Sequence, residues 1–186
     1  MSTVAWVILV IVIIAVAVAA FMAIQARRSK RLRSRFGPEY DHLVHERGSA
    51  RKAEAELERR VDRVERFQLR RLNPEECDRF ASEWRTAQER FVDDPRGAVA
   101  EADQLVQKAM KACGYPVGAD FDARIADLSV DHPVVVETYR AGHVIAVRDF
   151  STPVSTEDLR TAMRHYRTLF EDLLGRRVSE VEEVRR

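Results

Sequence analysis

The sequence predicts an all-α protein: an N-terminal transmembrane helix, a charged helical stalk and a C-terminal bundle of about five helices. Three observations predict it. An uncharged apolar run extends from Val4 to Ile24. Downstream of it, apolar side chains recur at intervals of three and four residues, the period of a helix with one buried face. Proline, glycine and capping residues stand where those stripes begin and end.

The apolar run holds 21 residues without charge, Pro or Gly. At about 1.5 Å per residue it spans roughly 30 Å, the thickness of a bilayer's hydrocarbon. A cleaved signal peptide is the competing reading, because Ala17, Ala19, Ala20 and Ala23 are small residues of the kind a signal peptidase prefers. Met1-Ser2-Thr3 lacks the basic n-region of a signal, however, and the apolar stretch is too long for an h-region. Residues 1–26 are therefore read as an anchor.

A basic juxtamembrane collar, residues 27–37, follows directly. Arg27, Arg28, Lys30, Arg31, Arg33 and Arg35 stand there with no acid among them. Because Lys and Arg beside a span are retained on the cytoplasmic side, the sequence predicts a single-pass protein of the cell membrane with its N-terminus out and its bulk cytoplasmic. The same six cations are candidate contacts for anionic lipid headgroups, each contributing about 1 kcal/mol near such a surface. Read alone, the cluster also resembles a nucleic-acid or nuclear-targeting patch, but a span immediately before it argues for lipid and against nucleic acid.

The chain carries 31 basic and 30 acidic side chains, a balance that conceals polarity along its length. Residues 73–174 hold 12 basic against 19 acidic side chains, a net of −7, while the collar is +6. An anionic leaflet attracts the collar and repels this domain, so the domain is expected to stand off from the membrane. Beyond the anchor, about 160 residues suffice for one proper core. Cys77 and Cys113 form neither a C-x-x-C pair nor a metal-ligand spacing, and read as reduced core thiols.

Gly37-Pro38-Glu39 opens a helix, with proline at its first position and an acid in its first turn. Gly48-Ser49 is a candidate break. Ala50, Ala53, Leu57, Val61 and Val64 then make a narrow apolar seam among charges. Residues 38–72 thus read as a charged stalk, either a self-associating coiled coil or one amphipathic helix docked on the domain.

Asn73-Pro74-Glu75-Glu76 starts the bundle of residues 73–174 with an N-cap, a first-position proline and first-turn acids. The stripe Phe80, Trp84, Ala87 and Phe91 follows and ends at Asp93-Asp94-Pro95. Val99, Ala102, Val106, Ala109 and Cys113 continue the period up to Gly114-Tyr115-Pro116, a glycine stop followed by proline. Phe121, Ile125 and Leu128 mark a shorter helix that closes before Asp131-His132-Pro133.

From Pro133 the valines are spread around the whole circumference, which predicts a helix central in its bundle. Ser155-Thr156-Glu157-Asp158 caps the last helix, whose stripe is Leu159, Met163, Tyr166, Phe170 and Leu173. A charged tail, residues 175–186, is expected to fray.

Chemistry has few candidates. His42 and His45 are three apart, but two imidazoles do not make a metal site and both read as solvated. His143 lies within the apolar stripe Val136, Tyr139, His143, Ala146 and Phe150. It reads first as a satisfied core histidine and second as a possible pH-sensitive packing element, since burial disfavours imidazolium. His132 and His165 have no evident partner in the sequence. No phosphate loop, nucleophile elbow, dinucleotide fingerprint, zinc-protease or EF-hand pattern is present, so neither enzyme, cofactor nor metal is expected.

Leu32 to Asp41 (LRSRFGPEYD), Arg90 to Pro95 (RFVDDP), Asp127 to Pro133 (DLSVDHP) and His165 to Leu174 (HYRTLFEDLL) together resemble a family of uncharacterised bacterial single-pass membrane proteins. The resemblance covers nearly the whole chain. It implies an architecture and a compartment and brings no catalytic or ligand residue. The expected function is a membrane-tethered cytoplasmic helical interaction module, engaging a protein partner or a second copy of itself. The alternative is a sensor or envelope-stress component that binds a small ligand in the helical domain, with an unrecognised hydrolase a distant third.

Overall fold

The structure, a computed structural model, describes residues 3–118, 120–147 and 154–175. These residues form eight helices and no strand. They are α1 (Thr3–Phe36), α2 (Pro38–Arg47), α3 (Ala50–Val64), α4 (Pro74–Arg90), α5 (Pro95–Cys113), α6 (Phe121–Asp131), α7 (Pro133–Ala146) and α8 (Thr156–Leu173). Phe150 and the tail beyond Gly175, both singled out above, lie outside the described residues.

Anchor and collar are one helix. The 34 residues of α1 extend about 50 Å, longer than a bilayer's hydrocarbon is thick. Its apolar part from Leu9 onward is uncovered among the described residues, and the helix is long and apolar enough to cross a membrane. Its last two turns behave differently. Leu32 and Phe36 are buried with Tyr40 and Leu43 of α2, Ala53, Leu57 and Val64 of α3, and Val130 of α6.

Residues 38–64 form two helices, not one, and their apolar sides pack within the chain. Gly48 ends α2 in a left-handed turn, Ser49 is extended, and α3 runs back along α2. The seam residues Ala53, Leu57 and Val64 are then covered from within the chain. An apolar stripe that narrow cannot also face a second helix.

The larger core lies among α4 to α8. Phe80, Trp84 and Ala87 of α4 are buried there, as are Val99, Ala102, Val106, Ala109 and Cys113 of α5. Leu159, Met163, Tyr166, Phe170 and Leu173 of α8 complete it. Local chemistry places the ends. Asn73 and Glu76 form a reciprocal capping box on α4, Asp94 accepts from Gly97 N–H on α5, and Ser155 and Asp158 close a second box on α8. The Arg70 guanidinium, bonded to both Glu76 oxygens at 2.7 Å, holds that carboxyl at a pKa of about 2.

The valines from Pro133 onward do not all face the core. Val135, Val136, Tyr139 and Gly142 are buried, but Val134 is 72% exposed, Val144 54% and Val147 61%. Successive residues turn by about 100°, so consecutive valines cannot all face the core. Helix α7 packs against α8, α6, α2, α5 and α1, and leaves one stripe with Val134 and Val144 exposed. Gly142 lets it approach α8 closely, since a Cβ there would stand 3.0 Å from that of His165.

Gly114 joins the two cores. Its φ is +97°, and an added Cβ would lie 2.4 Å from the Gln68 carbonyl oxygen, where Arg70 N–H also bonds Cys113 O at 2.9 Å. Gly114→Ala combines left-handed strain with a backbone clash, and should lower stability by about 2 kcal/mol or more. Thermal unfolding would register this as a fall of roughly 4–8 °C. An unchanged midpoint would mean that the connection from 65 to 73 is not held as described.

Candidate functional site

The collar divides by helical geometry. On α1 the buried residues Leu32 and Phe36 define an inward face, and Arg28, Arg33 and Arg35 flank it. Each of these makes an ion pair with the domain. Arg28 pairs with Glu58 of α3, Arg33 lies 3.2 Å from Asp41 of α2, and Arg35 lies 3.9 Å from Asp131 of α6.

Arg27, Lys30 and Arg31 are spaced i, i+3 and i+4, which puts them together on one face of the helix. They are exposed and make no ion pair among the described residues. Sequence reasoning counted six equivalent cations; three are ion-paired with the domain, Lys30 faces away from it, and Arg27 and Arg31 line a cleft toward α3 with no ion pair among the described residues. Between the collar and α3 lies a cleft of about 390 Å³, with Arg27, Arg28, Arg31 and Arg35 opposite Glu58, Asp62 and Glu65.

Beneath the collar is a buried ionic network with no signature in the sequence. Glu39, read above only as a first-turn acid, has a side chain 1% exposed. Its carboxylate accepts from Arg60 Nη1 at 2.8 Å and from Arg140 Nη2 at 3.1 Å. Arg60 Nη1 also donates to Ser129 Oγ at 3.1 Å, and Arg60 Nε lies 3.7 Å from Glu56.

Nearby, Arg63 holds Asp127, with Nη2 at 3.1 Å from Oδ2 and Nε at 3.1 Å from Oδ1. Burial raises the Asp127 pKa, outweighing the attraction of Arg63 and Arg60. The network therefore links α2 and α3 to α6 and α7 through charges partly withdrawn from water. Such groups are tolerated only when partnered.

His143 lies on α7, half-buried, its ring stacked on Phe121 of α6 with centroids 3.6 Å apart. Its Nδ1 is buried with no hydrogen-bond partner. Burial lowers its pKa, Arg124 of α6 acts in the same direction, and Asp103 of α5 and Asp122 of α6 oppose it. From α8, His165 also has a pKa lowered by burial.

A histidine whose folded pKa is depressed leaves stability intact above the unfolded value of about 6.5, and removes it as pH falls below that value toward the folded pKa. His143→Gln should flatten, without abolishing, the loss of stability between pH 7.5 and pH 5, because His165 retains the same sign. Urea midpoints at the two pH values test this. Identical slopes in both proteins would remove His143 as a pH-sensitive element.

His132, for which the sequence suggested no partner, has one: Nδ1 lies 2.5 Å from Asp172 Oδ2 of α8. The pair lines a cleft of about 680 Å³ with Arg71, Leu69 and Tyr115, whose hydroxyl donates to Asp131 at 3.0 Å. Cys113 lies in the same wall, and burial pushes its thiol up to about 11, so it is no nucleophile at neutral pH. Both cysteines are free thiols. His42 and His45 are exposed on α2, and no cluster of three metal-ligating side chains exists among the described residues.

Comparison of the chain with protein-family models, with curated proteins and with solved structures finds no match. The family resemblance drawn from four sequence stretches gains no support from them.

Proposed function

We propose that the protein is a membrane-tethered helical interaction module, anchored by α1 with its N-terminus outside and presenting its helical domain to a partner in the cytoplasm. One observation carries the reading. A single continuous helix leaves its apolar half uncovered and locks its last two turns into the domain, through Leu32, Phe36 and the ion pairs of Arg28, Arg33 and Arg35. The domain is thus held in a fixed pose about 18 Å beyond the end of the apolar run, a distance set by the twelve residues from Ile24 to Phe36. A flexible linker would leave such a pose open. Arg27, Lys30 and Arg31 are the headgroup contacts in this reading, and the domain's net charge of −7 keeps the rest off the leaflet. Self-association through the α3 seam is not favoured, because Ala53, Leu57 and Val64 are covered.

The second reading, a sensor that binds a small ligand, is favoured by the cleft holding the His132 and Asp172 pair, which is larger than the one beside the collar. Affinity purification of the intact protein from membranes, with mass spectrometry of both proteins and small molecules, decides between them. A co-purifying protein supports the module. A retained metabolite whose recovery is lost in Asp172→Asn, with no protein partner, supports the sensor.

A further inference from the structure

We propose that the groove between α4 and α8 is a docking site for an acidic amphipathic helix of a partner protein. The proposal rests on the module reading and names its contact surface. Two depressions of about 430 and 170 Å³ lie between these antiparallel helices and share Gln88 and Arg167 in their walls, so they form one trough. It runs from Asp78 to Phe91 along α4 and from Leu174 to Arg160 along α8, about 20 Å or four helical turns.

Trp84, Phe91, Met163 and Phe170 give the trough an apolar floor, with Trp84 and Phe170 stacked at 4.6 Å. Trp84 is 5% exposed, and its indole N–H is itself buried with no hydrogen-bond partner among the described residues.

Charge identifies the occupant. The domain as a whole is acidic, yet Arg85, Arg160, Arg164 and Arg167 all line this trough against only Asp78 and Glu171. The positive charge is concentrated toward the Phe91 end. Arg167 pairs with Glu171 at 2.6 Å, while one carboxylate, Glu157, is shared by Arg160 and Arg164; Arg164 also donates to Thr161 Oγ1 at 3.0 Å, and each of these two guanidiniums has five N–H donors, more than these contacts use. On α8 the arginines are spaced four and three residues apart, the spacing at which carboxylates recur along one edge of a facing helix. A helix with apolar residues at i, i+3, i+4 and i+7 and glutamates along one flank meets both the floor and the rim.

The chain's two tryptophans make the test direct, since replacing Trp6 by Phe leaves Trp84 alone to report on the trough. The probe is a synthetic tryptophan-free amphipathic peptide of about four turns, with leucines on one face and glutamates along its edge. It is titrated into the full-length Trp6→Phe protein in nanodiscs. A saturable change in Trp84 emission is expected. Binding should weaken roughly tenfold or more in Arg160→Glu/Arg164→Glu, and a lysine version of the peptide should prefer that variant. Retained helicity by circular dichroism confirms that the exposed replacements have not unfolded the domain.

Equal binding of the glutamate and lysine peptides, or no saturable change, overturns the proposal. So does a full-length dimer that the double variant dissociates, because the occupant is then a second copy. A protein captured from membranes equally well by wild type and double variant overturns the groove and leaves the module standing. Recovery of no protein, with a metabolite bound, overturns the module itself.

Discussion

Replacing Glu39 by alanine should destabilise the domain by about 3–5 kcal/mol, the range found when one partner of a buried ion pair is removed. Among the described residues, Glu39 is the only carboxylate within ion-pair distance of both Arg60 and Arg140, whose side chains are 11% and 22% exposed. Without it, Arg60 on α3 is left with Ser129 and the 3.7 Å approach of Glu56, and Arg140 on α7 with the exposed Glu137. For a chain of this size, a loss of that magnitude lowers the thermal midpoint by roughly 6–20 °C.

Glu39→Gln should be milder, because the amide oxygen still accepts from one arginine while the charge is lost. Exchange of amide hydrogens would localise the effect, with α2 and α3 losing protection before α4, α5 and α8. Equal stability of Glu39→Ala and wild type would show that the network does not hold the hairpin to the domain.

The second large effect is expected at the membrane surface. Reversing Arg27, Lys30 and Arg31 to glutamate removes the three collar cations that have no ion pair among the described residues, and leaves three positive against three negative charges in the collar. The orientation bias given by basic residues beside a span is then gone, and three favourable headgroup interactions of about 1 kcal/mol each become repulsive. A mixed topology should result, seen as part of the population becoming digestible by protease added to spheroplasts of an expression host.

Reversing Arg28, Arg33 and Arg35 instead should act mainly on the fold. Those side chains are bound to Glu58, Asp41 and Asp131, although such exposed pairs are individually weak. If both triples changed topology equally, the division of the collar into bound and free faces would carry no functional meaning.

How much of this was legible in the sequence depended on the range of the interaction. Caps and stripes are local, so the ends of α4, α5 and α8 and their buried faces follow from residues three or four apart: Asn73 with Glu76, Ser155 with Asp158, and Phe80 with Trp84 and Ala87. The ionic network is not local. Glu39 meets Arg60 across 21 residues and Arg140 across 101, and Arg63 meets Asp127 across 64. No periodic pattern joins them.

Leu32 and Phe36 were hidden for another reason. They are one helical turn apart in a stretch dominated by arginine, and the cations drew attention to the surface while the two apolar side chains set the packing. On α7 a run of valines gave no face at all, so which ones are buried is decided by α2, α6 and α8. The α4 and α8 groove likewise lies between stripes each read correctly as core. Only the packing of both helices on α5 leaves their outer edges apart.

The central claim is that an uncut N-terminal helix holds the remainder of the chain on the inner side of a membrane. Mass spectrometry of the full-length protein after protease is added outside spheroplasts tests it most directly. The account predicts a chain that keeps its amino-terminal apolar run and loses at most the few residues before Val4. A mature chain beginning beyond Ala23, or digestion of the domain from outside, would contradict it.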